Sequence, residues 1–151
     1  MGFLDKIKAA KNLVTGGGAK VSLQVGQTSF GQPIPVMVSA QVAGAPVEVA
    51  KVYIVVRAVE TVNLVVRDQD NRNDRDRVHE TAEMFRQEFP LTGPMSLPAN
   101  SQHEWQGQVT LPPTALPTYL GKHARHVWSF QAGLDMRGND PDSGWIDVQI
   151  R

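Results

Sequence analysis

The stretch V109-TLPPTALPTYLGKHARHVWSFQAGL-D135 decides the fold. It carries three prolines, Pro112, Pro113 and Pro117, two glycines, Gly121 and Gly133, and two of the chain's four histidines, His123 and His126.

 Prolines donate no ladder hydrogen bond, so Pro112 and Pro113 end the strand before them and Pro117 keeps the crossing extended. From His126 onward the pattern has period two. His126, Trp128, Phe130, Ala132 and Leu134 alternate with Val127, Ser129, Gln131 and Gly133, as on a half-buried strand.

The same alternation runs outward in both directions. Val21, Leu23 and Val25 alternate with polar neighbours, then Ile34, Val36, Val38, Ala40 and Val42 do so after a turn region at 26–33. Residues 47–66 are rich in valine and exceed the usual strand length, so a bend or hairpin is expected near Glu60–Asn63. Residues 67–80 mix four arginines with five acids and read as a solvated loop. Trp105, Gly107, Val109 and Leu111 form another alternating run, and Ile146, Val148 and Ile150 a last one. Residues 81–91 fit a strand or a helix by local period alone.

The chain begins differently. Phe3, Ile7, Ala10 and Val14 recur at helical spacing, and Leu4 and Leu13 widen that apolar face. Lys6 and Lys11 lie at its borders, with Asp5, Lys8 and Asn12 opposite. A helix this short is marginal alone in water and needs a surface to pack on. Residues 1–15 are therefore expected as an amphipathic helix, 16–18 as a glycine hinge and 19–151 as one β-sandwich. Phe3, Leu4, Lys6, Ile7, Lys11 and Val14 are the expected docking residues, for a membrane surface, a partner groove or a neighbouring subunit.

Composition narrows the function. Lys plus Arg and Asp plus Glu both number 15, so bulk attraction to nucleic acid is not expected. The absence of cysteine excludes disulfides and thiolate chemistry. No apolar run spans a bilayer and no signal-peptide pattern is present, which predicts a cytoplasmic protein, peripheral to a membrane at most. No nucleophile elbow or P-loop occurs, so no enzyme activity, catalytic residue, cofactor or metal is expected. His123 and His126 enter a strand, where a spacing of three puts them on opposite faces. The Asp-rich turns, with Asp135, Asp140 and Asp142 and with Asp68, Asp70, Asp74 and Asp76, offer oxygen ligands of the kind calcium prefers.

The order of features from Leu91 to Asp135 resembles the arrestin family. LTGPMSLPANSQHEWQGQVTLP resembles its strand, polar loop and strand ending in Leu-Pro; LPTYLGKHARHVWSFQAGLD resembles its proline-rich crossing and the strand leaving through Ala-x-Leu-Asp, here Ala132, Leu134 and Asp135. AKVSLQVGQTSFGQPIPVMVSAQVAG resembles the opening pair of strands, and the short apolar start is similar to the bacterial sporulation-control branch. The resemblance covers roughly residues 19–151 and implies an all-β, antiparallel arrestin-like (immunoglobulin-like) sandwich; full arrestins carry two such lobes, and this chain of 151 residues has length for a single lobe. It favours strand for residues 81–91. It also implies a non-catalytic adaptor or scaffold that binds protein partners through sheet edges and loops, with homo-oligomers among the expected assemblies. The alternative expectation is a calcium-dependent, lipid-binding sandwich using the Asp-rich loops.

Overall fold

The computed structural model describes residues 18–29, 31–67, 75–138 and 140–151. Among them the fold is all β and antiparallel. One sheet has three strands in the order β1 (Ala19–Val25), β2 (Ile34–Val42) and β6 (Gln102–Val109). The other has six. Its main path runs β4 (Arg75–Pro90), β3 (Val47–Arg67), β8 (Ala124–Met136) and β7 (Tyr119–Leu120). The short β5 (Met95–Leu97) extends the β4 side of β3, and β9 (Ile146–Val148) extends the β7 side of β8.

The period-two pattern becomes the core directly. Val21, Leu23, Val36, Val38 and Ala40 of the small sheet are buried together with Val52, Ile54, Val56 and Ala58 of β3 and Trp128, Phe130, Ala132 and Leu134 of β8. Each large aliphatic or aromatic side chain removed from water contributes about 1.5–3 kcal/mol. Val49 is also buried, three residues before Val52, because the β3–β8 register shifts between Val49 and Lys51. An extra residue at Ala50 turns the strand by one step and keeps both valines inward.

Two expectations are corrected here. No hairpin interrupts residues 60–63: β3 is one strand of 21 residues, paired with β4 from Tyr53 to Arg67. Residues 75–80 are not loop but the beginning of β4, and only 68–74 of the expected loop lie outside the described residues. Residues 81–90 are strand, as the resemblance implied. The β3–β4 ladder shifts register between Ala58 and Val59, where Met84 has no residue opposite it. The crossing also holds β7, a two-residue strand not anticipated within its prolines.

The expected helix at 1–15, with Phe3, Leu4, Lys6, Ile7, Lys11 and Val14, lies outside the described residues, as do Gly16 and Gly17 of the hinge.

Candidate docking surface

The lengths of the paired strands leave a ribbon. β8 accompanies β3 only as far as Val62, opposite Ala124. The β3–β4 pairing continues five residues further, to Arg67 opposite Arg75. Beyond Val62 no third strand covers these two among the described residues. The ribbon nevertheless carries large apolar side chains in water: Leu64 is 36% exposed, Val65 53%, Val66 50% and Val78 38%. Cross-strand partners share a face. Leu64 pairs with Val78, Val66 with Asp76, Val62 with Glu80 and Glu60 with Ala82. These eight residues continue the inward face of Ala58, so an apolar stripe flanked by Glu60, Asp76 and Glu80 extends past the sandwich. No lysine or arginine shares that face among the described residues. Leu116, Tyr119 and Leu120 are exposed near the same end of the sheet, since Tyr119 pairs with His126.

The outward face of the six-stranded sheet is polar and ordered by aromatics. Arg57 lies across the Trp145 ring, 3.8 Å from its centroid, with Arg86 on the same ring at 5.7 Å. A guanidinium on a Trp face gains from the ring quadrupole. Arg86 also bridges to Glu83 at 3.2 Å, and Lys51 to Glu88 at 2.7 Å. That hydrogen bond to Glu88 raises the Lys51 ammonium above its usual range. Tyr53 donates its hydroxyl to Asp140 Oδ2 at 3.0 Å, while Asp140 Oδ1 accepts the Met136 amide at 3.2 Å. Burial first, and then this hydrogen bond, push the Tyr53 phenol well above its usual range.

The raised Tyr53 phenol gives a signed prediction. A folded-state pKa above the unfolded value of 10.0 favours the fold while the phenol is protonated, and that stability is lost as pH climbs beyond 10. Tyr53→Phe should be less stable than the wild type by about 1 kcal/mol at neutral pH, the worth of one hydrogen bond. The gap should narrow above pH 10. Denaturant titrations at several pH values would show it, and a constant gap would contradict the assignment.

The histidines do not converge. His123 is exposed before β8, and His79 is exposed on β4. His103 stacks on Trp105 with centroids 5.8 Å apart and shares a 2.7 Å hydrogen bond with Ser101. His126, which the alternation places with Trp128, is buried at 6% exposure and lies edge-on to that ring. Among the described residues its two ring nitrogens have no hydrogen-bond partner, and Glu60 Oε2 lies 3.9 Å from Nδ1. Of the acidic turns, Asp68, Asp70 and Asp74 lie outside the described residues, and Asp76 is on β4. Asp142 Oδ1 accepts the Gly144 amide at 2.8 Å. Among the described residues no group of three or more His, Asp or Glu is placed to hold a metal ion. No helix among them is long and apolar enough to cross a membrane.

The ribbon residues were not singled out by the sequence pattern. Their available signal was a run, Leu64-Val65-Val66, apolar on both faces and next to a polar reversal.

These features define an all-β protein of two antiparallel sheets whose open edges and projecting ribbon suit contact with other molecules. Among solved structures it is similar to Spo0M, the sporulation control protein of Bacillus subtilis, with a TM-score of 0.60 and 19% identity over 89% of this chain. The chain spans half the length of that protein. The likeness is a distant one of fold, to an arrestin-like neighbour. No family model and no curated protein sequence matches the chain.

Proposed function

We propose that the chain is a non-catalytic adaptor or scaffold, binding protein partners through its sheet edges and loops, with the N-terminal segment as a second docking element. The observation that carries this reading is the ribbon, where Leu64, Val65, Val66 and Val78 stand in water although nothing in the sandwich requires them there. Contiguous exposed apolar surface flanked by charge marks interaction sites. The outer edge of β4, which no other strand pairs among the described residues, adds backbone groups that a partner strand can extend. The similar protein from Bacillus subtilis carries a control function in its name, which accords with a regulatory rather than a chemical role. A cytoplasmic setting, with at most peripheral membrane contact, belongs to the same proposal.

The test is a photo-crosslinking residue placed at Leu64, at Tyr119 and, as a control, at Lys20 in cells. Adducts with a defined protein at the first two positions support the adaptor reading; their absence at both opposes it. Calorimetric titration with calcium should give no heat. Micromolar binding that disappears in Asp140→Asn would replace the adaptor reading by the calcium-dependent, lipid-binding one.

A further inference from the structure

Three properties of the ribbon point to its occupant. Its inward face is a stripe of Val62, Leu64, Val66, Val78 and Ala82, edged by the carboxylates of Glu60, Asp76 and Glu80. An apolar face of that kind, acidic at its margins, complements a basic amphipathic segment. The chain itself contains one. Residues 3–14 place Phe3, Ile7, Ala10 and Val14 at helical spacing, with Lys6, Lys8 and Lys11 against a single acid, Asp5. As the helix that spacing predicts, Phe3 to Val14 measures about 17 Å. Residues 60–66 of β3 extend about 20 Å.

The third property is where the segment leaves the sandwich. Gly18 lies against Met136 and Val47, at the end of β8 and the beginning of β3. The ribbon is at the other end of β3, about 50 Å away along the strand from residue 49 to residue 64. Three residues, Thr15–Gly17, join Val14 to Gly18 in four steps and reach at most about 14 Å. Even Phe3, the far end of the predicted helix, therefore reaches no further than about 31 Å from Gly18. The segment falls short of its own ribbon, whereas the ribbon of another molecule is open to it.

We propose that the inward face of the β3–β4 ribbon binds residues 3–14 of a second copy of this chain. The inference rests on the docking role given above to the N-terminal segment and names its partner. The contact is heterologous, a tail on one molecule meeting a ribbon on the next, so each joined pair keeps one free tail and one free ribbon and assembly proceeds head to tail.

The full chain in sedimentation velocity should show a mean mass that rises with protein concentration and falls as salt screens the lysine–carboxylate attraction. Leu64→Lys removes a stripe residue and opposes the lysines; Ile7→Glu does the same from the tail. Each variant alone should sediment as a monomer. Mixed in equal amounts, they should form a one-to-one dimer, because one supplies an intact tail and the other an intact ribbon. Circular dichroism confirms that both variants are folded, and Val66→Lys is the second ribbon variant if Leu64→Lys is not. A wild-type chain that stays monomeric at every concentration overturns the proposal. So does assembly that survives either substitution, or a mixture of folded variants that gives no dimer. Photo-crosslinked partner adducts that persist when assembly is absent leave the adaptor reading standing while this inference falls.

Discussion

Trp128→Ala is expected to cost about 3–5 kcal/mol, the usual toll for deleting a buried aromatic. That is a large part of the roughly 5–15 kcal/mol by which a domain is stable. Trp128 is 1% exposed and sits between two rings, Phe85 at 5.3 Å and His126 at 5.7 Å between centroids. Its indole Nε1 also donates to the Leu116 carbonyl at 2.7 Å. That bond ties the proline-stiffened crossing to β8, so the substitution both leaves a cavity and releases the crossing. Trp128→Phe separates the two effects. It keeps most of the ring but strands the Leu116 carbonyl, and should cost about 1–2 kcal/mol beyond any repacking. Equilibrium denaturation in urea measures both. A Trp128→Ala penalty below about 1 kcal/mol would show that this side chain is not the centre of the core that its burial indicates.

Much of this was legible because one face of each central strand is buried. Trp128, Phe130, Ala132 and Leu134 alternate in sequence and all four point inward. His126 belongs to the same series, and period alone placed it with Trp128; the edge-on contact with the Trp128 ring and the pairing of β7 beside it are stated by no local pattern. The ribbon was lost for the opposite reason. Where two strands stand in water, neither face needs to be apolar, and period two disappears from residues 75–83. Strand-length habits then suggested a hairpin at Glu60–Asn63, although that stretch lacks glycine and proline. Residues 68–74, Asp-Gln-Asp-Asn-Arg-Asn-Asp, hold the side chains that favour turns. The candidate surface was hidden with the ribbon, since it exists only because β8 is shorter than the β3–β4 pair.

Gly133→Ala should change sign with its neighbour. In the alternating run Gly133 is only an outward residue, where alanine ought to be better: glycine inside a strand costs about 0.5–1 kcal/mol through its conformational freedom. The structure gives it a reason. Tyr53 is the cross-strand partner of Gly133, and its ring lies over the glycine. A Cβ there would stand 2.5 Å from Tyr53 Cζ, so the ring must swing away. Swinging it breaks the hydroxyl's bond to Asp140 and uncovers the buried Gly133 backbone. The expected net cost in the wild type is about 1–2 kcal/mol, a lost hydrogen bond plus lost packing less the entropy gained. With Tyr53→Ala the space is open, and Gly133→Ala should then stabilise by about 0.5–1 kcal/mol. The double-mutant cycle would read a coupling of about 2 kcal/mol, within the range for residues in contact. Additive effects would mean that Tyr53 does not hold this position. A cost that survives Tyr53→Ala would place the constraint in the backbone around the Gly133–Asp142 bridge instead.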